Sequence, residues 1–278
     1  MLNIGCHLSI SKGYYHAGME ALSIGANTFQ FFTRNPRGGS AKAIDMKDIE
    51  KLRELAKENE FAPLFAHASY TMNLCSEKEE TRLFAKEILK DDLKRISLLP
   101  KCYYILHPGS RGKQDIEVGI KHIAEALNEA IAENNDVIIL LEGMSGKGTE
   151  VGGTMEELHA IIDAVSPNEG LGIILDTCHL YSAGFDIVHD LDGVIQYVDK
   201  TVGWERVKGI HLNDSKVPFA SHKDRHEVIG KGTIGIEALK NIINHTQLRK
   251  LPFNLETPNE LEGYKKEIEL LKSLYIEI

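Results

Sequence analysis

Short apolar runs rich in β-branched residues recur along the chain at Asn3–Ser9, Thr28–Arg34, Pro63–Ser69, Tyr103–Gly109, Val137–Gly143, Leu171–His179, Val207–Ser215 and Pro252–Pro258. Runs of this kind are expected of parallel strands buried on both faces, because crossover helices cover the two sides of such a sheet. Their starts lie 25, 35, 40, 34, 34, 36 and 45 residues apart, which leaves room for a crossover helix in each interval. Between them the apolar period changes. Ile116, Ile120, Ile123, Leu127 and Ile131 line one face of a predicted helix, and Leu261, Tyr264, Ile268, Leu271 and Tyr275 line another. Ser76 with Glu79 reads as a capping box opening the helix that carries Leu89, Leu93 and Ile96.

Eight strand–helix alternations in about 250 residues predict an α/β fold of the (β/α)8, or TIM-barrel, type more readily than a doubly wound open sheet. No Pro/Gly/Ser-rich linker or block of like charge divides the chain, so residues 1–278 are expected to form a single barrel domain. Two segments between apolar runs are long: Asn35–Ile44, rich in glycine, and the polar Asp214–Thr233. Long loops in a compact domain are usually functional.

The polar residues that terminate the runs change the picture from fold to chemistry. Run three ends LFAHAS with His67, and run four ends YYILHPG with His107. Run five ends IILLEG with Glu142, and run six ends IILDTCH with Asp176 and His179. Run seven gives GIHLND with His211, and run eight FNLETP with Glu256. A lone buried His or Asp is usually hydrogen-bonded scaffold. Six successive strands delivering an ionisable group to the end where such barrels build their active sites is a different pattern. Several carboxylates buried together need neutralising cations. Imidazoles mixed with carboxylates suit zinc, manganese or iron better than calcium or magnesium. In the loop SHKDRHEVIG, Asp224 and His226 stand two apart, so an extended backbone puts both side chains on one side, and His179 can turn toward them. His222 is left unassigned. His16, His122, His159, His189 and His245 read as ordinary residues of helical or connecting segments.

The chain has 278 residues, twelve of them histidine, with 32 Lys and Arg against 41 Asp and Glu, a formal charge of -9. That balance argues against a simple basic nucleic-acid surface but allows a locally positive cleft. No stretch of 18 apolar residues is present, and the start MLNIGCHLSISKG lacks the pattern of a secretory signal. The four scattered cysteines, Cys6, Cys75, Cys102 and Cys178, form no CxxC pair and read as buried thiols of a reducing compartment. A cytoplasmic protein without membrane attachment is the expectation.

The segments DTCHLYSAGFD (176–186), HLNDSKVPFASHKDRHEVIGKGTIG (211–235) and LHPGS (106–110) strongly resemble the signature segments of endonuclease IV, the zinc-dependent apurinic/apyrimidinic endonuclease family. The amino-terminal GCHLSISKGYYHAGMEALSIGANTFQFFTRNPR and the ETPNE segment are similar too, so the resemblance covers nearly the whole chain. It implies a monomeric DNA-repair enzyme with three zinc ions that cuts duplex DNA 5′ to abasic sites. The expected products are 3′-hydroxyl and 5′-deoxyribose-phosphate ends, and removal of 3′-blocking groups is implied as well. Matched position by position, one zinc falls to His67, His107 and a bridging Glu142. A second falls to Glu142, Asp176, His211 and Glu256, and the third to His179, Asp224 and His226. Glu142 and Glu256 are the implied catalytic carboxylates, Glu256 orienting the nucleophile. Four carboxylates beneath three divalent ions would leave the centre positive, a floor suited to a phosphodiester.

Arg37 and Tyr70 match positions that enter the minor groove and hold the DNA bent. Arg34 and Lys42 are further basic loop residues expected to grip phosphates. Two departures stand in these DNA loops. Arg37 is followed by Gly38 and Gly39 in place of bulkier side chains, and Tyr70 by Thr71 in place of an apolar wedge, which implies shallower penetration of the base stack. The competing function is a metal-dependent sugar isomerase or epimerase on a similar barrel. It would use Glu142, Asp176, His211 and Glu256 but gives no reason for His67, His107, Asp224 or His226.

Overall fold

The computed structural model describes residues 1–134 and 136–277. In chain order the elements are β1 (Ile4–Cys6), α1 (Tyr14–Ser23), β2 (Gln30–Phe32), α2 (Met46–Glu58), β3 (Leu64–His67), α3 (Glu79–Ile96) and β4 (Cys102–Leu106). Next come α4 (Ile116–Glu133), β5 (Ile139–Glu142), α5 (Met155–Asp163), β6 (Leu171–Asp176), α6 (Thr177–Ala183) and α7 (Leu191–Thr201). The chain closes with β7 (Val207–His211), β8 (Asp214–Ser215), β9 (His226–Glu227), α8 (Ile236–Asn244), β10 (Phe253–Leu255) and α9 (Leu261–Leu274).

Eight of the strands form one parallel sheet in the order β1-β10-β7-β6-β5-β4-β3-β2. The sheet curls into a nearly closed barrel. Its seam, between β1 and β2, is held by a single His7–Gln30 bridge and by Leu8 N–H donating to the Gln30 carbonyl at 2.8 Å. Glycine is required at position 5 in this seam, because a β-carbon there would come within 2.1 Å of the Thr28 carbonyl oxygen. The predicted α/β barrel is therefore the observed fold, and the open doubly wound sheet is not.

Side chains of a strand alternate between its two faces, so a residue and the one two positions on point the same way. Phe65, Ile105, Leu140 and Ile174 pack together with Tyr103 inside the barrel. They stand two residues before His67, His107, Glu142 and Asp176. The same alternation that fills the interior with apolar groups thus carries the polar residue above them into the barrel mouth. The outer faces pack on the helices in a larger apolar cluster that includes Ile123, Leu127 and Ile131 of α4 and Tyr264, Ile268 and Leu271 of α9.

Three local expectations are corrected. Run six does not stay extended to His179. β6 ends at Asp176, whose side chain accepts from His179 N–H at 2.8 Å and caps α6. Run seven ends at His211, and Asp214–Ser215 turns away to pair antiparallel with His226–Glu227. The Ser76 capping box does not form either. Its hydroxyl accepts from Lys78 N–H at 3.2 Å, and the helix begins only at Glu79. No helix among the described residues is long and apolar enough to cross a membrane, and the four cysteines are buried free thiols.

Candidate metal centre

Glu142, at the end of β5 and 1 % exposed, sits in the middle of the mouth. Its Oε2 lies 3.3 Å from His67 Nε2 and 3.2 Å from His107 Nε2. Its Oε1 lies 3.1 Å from His211 Nδ1 and 3.3 Å from His179 Nδ1. One carboxylate therefore faces two groups of donors. His211 Nδ1 is also 3.3 Å from Glu256 Oε2 and 3.8 Å from Asp176 Oδ2. On the far side, Asp224 Oδ1 is 3.5 Å from His179 Nε2 and 3.3 Å from His226 Nε2, and Asp176 Oδ2 is 3.6 Å from His226 Nε2. All nine residues expected to be ligands converge in this one volume, although six come from the ends of six barrel strands, His179 from α6, His226 from β9 and Asp224 from the loop before it.

The histidines are oriented from behind. His67, His179 and His226 each turn Nδ1 to a backbone carbonyl, that of Ala68 at 2.7 Å, Gly143 at 3.0 Å and Glu256 at 3.2 Å. Donation from Nδ1 leaves the Nε2 lone pair facing the cluster. His211 is reversed: Nε2–H donates to Gln30 Oε1 at 2.7 Å, and Nδ1 faces the carboxylates. Asn213 donates from Nδ2 to Asp176 at 2.7 Å, while its Oδ1 accepts from Glu256 N–H at 2.8 Å.

This arrangement fits divalent cations. Donor atoms of His67, His107 and Glu142 lie within 4.8 Å of one another, as do those of Glu142, Asp176, His211 and Glu256, and those of Asp176, His179 and His226. His179 Nε2 and His226 Nε2 are buried with no hydrogen-bond partner. A buried imidazole nitrogen without a partner is costly, and a cation there would satisfy both. Cys178 Sγ also lies beside Asp224 and His226. Burial, with Asp176 nearby, pushes its thiol up to about 12, so without a cation it keeps its proton.

Without cations the cluster balances itself with protons. Burial opposes charge on His211, but Glu256 and Glu142 prevail and lift its pKa to about 9. His107 and His179 are raised against the same burial, the first by Glu142 and the second chiefly by Asp176. Burial would raise Glu142 and Glu256. His211 instead helps hold Glu142 well below the carboxylate range and holds Glu256 at about 2.

Over 275 residues the chain is 58% identical to the probable endonuclease 4 of Alkaliphilus oremlandii, covering 99% of this chain and 98% of that protein. The chain belongs to the endonuclease IV family. The probable endonuclease 4 of Clostridium botulinum is 59% identical, with 99% of each chain covered. Residues 19–274 match the family model described as xylose isomerase-like TIM barrel. The crystal structure of endonuclease IV from Thermus thermophilus superposes with a TM-score of 0.87 at 34% identity, over 98% of both chains. A D-psicose 3-epimerase from Clostridium cellulolyticum shares the fold alone, with a TM-score of 0.66 at 16% identity over 99% of this chain and 100% of that one.

In this endonuclease IV family member the rim of the mouth differs in part from expectation. Tyr70, 65 % exposed, stands over the centre with its ring 6.2 Å from His67 and 6.3 Å from His107. Its N–H donates to the Pro36 carbonyl at 3.1 Å, which ties it to the loop carrying the exposed Arg37. Lys42 is exposed and holds the Ser11 carbonyl. Arg34 is not a free surface cation. It is buried, with Nε 3.0 Å and Nη2 2.5 Å from Asp92 Oδ1, and it is satisfied internally. At Gly39 a β-carbon would meet the half-exposed Phe84 ring of α3 at 2.6 Å, so a larger residue there would need that ring to shift. The sequence reading missed Gln30, His7 and Asn213. His7 follows β1 and Gln30 opens β2, before the regular series of ionisable strand ends begins. An uncharged amide inside the run TFQFF reads as a break in hydropathy; its alternation with Phe29 and Phe31 was the available signal.

Proposed function

We propose that this chain is a DNA-repair endonuclease that hydrolyses the phosphodiester 5′ to an abasic site in duplex DNA, leaving a 3′-hydroxyl and a 5′-deoxyribose-phosphate, and that it also trims 3′-blocking groups. The observation that carries this reading is the double-faced position of Glu142 among four histidines, in a chain 58% identical to a probable endonuclease 4. An epimerase-type site would need only Glu142, Asp176, His211 and Glu256. It leaves His67, His107, His179, Asp224 and His226 without a task.

His67, His107 and Glu142 would hold one zinc; Glu142, Asp176, His211 and Glu256 a second; His179, Asp224 and His226 a third. Manganese or iron is an alternative occupant. When bound, such a cluster supplies Lewis acidity toward water and phosphoryl oxygens. Glu142 spans two donor groups and fixes their separation. Glu256, 16% exposed at the side chain, is the ligand positioned to orient an attacking water through its carboxylate. Tyr70 and Arg37 stand at the rim, where a bent duplex would rest. An abasic nucleotide has no base to unstack, so bending and flipping there cost less than at an intact one, and the lesion is selected by deformation.

The test is elemental analysis of the zinc-loaded protein paired with incision of a duplex oligonucleotide carrying one abasic site. Three zinc per chain and a metal-dependent nick 5′ to the lesion are expected. A fully loaded sample that leaves that strand whole and epimerises a ketohexose would overturn the reading.

A further inference from the structure

Gln30 lies on β2 at the barrel seam, fully buried, and none of the nine proposed ligands is its chain neighbour. Its amide makes three contacts. Oε1 accepts from His211 Nε2–H at 2.7 Å, and Nε2 donates to Glu256 Oε1 at 2.6 Å and to His7 Nδ1 at 3.1 Å. The orientation of the amide is fixed by chemistry. Turned over, its carbonyl oxygen would sit 2.6 Å from a carboxylate oxygen, and its NH2 would face the nitrogen of His211 that now donates. With this orientation, the neutral form of His211 that a cation would bind carries its one proton on Nε2 and presents the Nδ1 lone pair on the side of Glu142, Asp176 and Glu256. The other four histidines place Nε2 toward the cluster or toward Glu142. His211 is the one that must be reversed, and Gln30 is the group that reverses it.

We propose that Gln30 is a positioning residue for the metal centre: one amide sets the tautomer of His211 and pins Oε1 of Glu256, leaving Oε2 for a cation. His7, packed with its ring 4.3 Å from Phe32, accepts the remaining amide hydrogen and stops the amide from rotating. Partners behind a ligand matter because they decide which lone pair the ligand offers, and removing one commonly lowers metal affinity by roughly 10–100-fold. The inference rests on the metal-centre reading above and extends it to a residue outside the ligand set.

The test uses the zinc-loaded protein. Gln30→Met keeps the length of the side chain and removes all three hydrogen bonds. Gln30→Glu keeps an acceptor for His211 and sets a second carboxyl 2.6 Å from Glu256 Oε1, where one shared proton takes the place of the amide donor. Competition with a chelator should show one of the bound zincs held roughly 10–100-fold less tightly in the Met variant. In imidazole 1H–15N correlation spectra, the slowly exchanging His211 Nε2 proton should disappear in the Met variant and persist in the Glu variant. Wild-type zinc affinity in the Met variant, or a His211 proton indifferent to both substitutions, overturns the proposal. Should the Met variant fail to fold, loss of the His211 proton in the Glu variant overturns it alone. Absence of DNA cleavage by the loaded wild-type protein would sink the functional reading and leave the zinc-affinity comparison standing.

Discussion

At Glu142 a single negative charge is shared among four imidazoles, with contacts of 3.1 to 3.3 Å. An amide in its place keeps the volume, loses the charge and turns an NH2 group toward nitrogens that need an acceptor or a cation. Glu142→Gln should therefore lower incision of abasic DNA by at least ~10²-fold, since loss even of an outer partner of a metal ligand reaches that size. Its far-ultraviolet circular dichroism should stay that of the native barrel. Near-native incision would remove Glu142 from the bridging position. Arg37 is the opposite kind of residue, exposed and outside the cluster. Arg37→Ala should weaken binding to abasic duplex by about 1–2 kcal/mol, roughly tenfold, with zinc content and melting temperature unchanged. An unchanged dissociation constant would show that the 35–44 loop does not hold DNA through this side chain.

Helix α3 has a task beyond covering the barrel. Asp92, fully buried, binds Arg34 and accepts from Thr33 Oγ1 at 2.7 Å and Tyr104 OH at 2.9 Å. Arg34 donates in turn to the Gly39 carbonyl at 2.6 Å, and Arg95 of the same helix to the Lys42 carbonyl at 2.7 Å. Both ends of the glycine-rich loop are thus anchored on one helix, which also presses Phe84 against Gly39. This is why Arg34 is not the free surface cation its loop position suggested. Asp92→Ala leaves a guanidinium and two hydroxyls buried without their shared partner. A loss of about 3–5 kcal/mol in denaturant unfolding is expected, with faster amide exchange across residues 35–44. A loss below about 1 kcal/mol would mean that the network adds little to loop or barrel.

For the whole molecule, the cluster links stability to pH and metal. His211, raised from 6.5 to about 9, contributes stability that is complete below pH 6.5 and is lost as pH rises through 9. Glu256, lowered from 4.5 to about 2, contributes stability that is complete above pH 4.5 and is lost as pH falls through 2. Metal-free protein should therefore be most stable between pH 4.5 and 6.5. Zinc needs the imidazoles deprotonated, so zinc binding at about pH 7 should release protons and the stabilisation by zinc should grow with pH. Melting temperatures measured from about pH 4 to 9 with and without zinc check both statements. A metal-free protein that gains stability between pH 6.5 and 9 would contradict them. The cavity above the centre, about 1230 Å³, is lined by His7, Tyr70, His107 and Asp224 among others.

The barrel, its eight strands and the polar residue above the last six apolar runs were legible along the chain, because alternation on a strand is a local property and each buried strand carries its own. The pairing of Asp224 with His226 was legible for the same reason. Strand ends were not. Asp176, the last residue of β6, caps the helix that follows it by accepting from His179 N–H, and Ser215 pairs with His226 across a loop; neither shows in the apolar spacing. The same holds for Arg34, which reads as a surface cation until Asp92, 58 residues away, comes beside it, and for Gln30, 181 residues from His211. Residue type and spacing decide which side of an element a group faces. Which distant group it meets there, and therefore whether it binds DNA, anchors a loop or sets a tautomer, is decided only when the chain closes on itself.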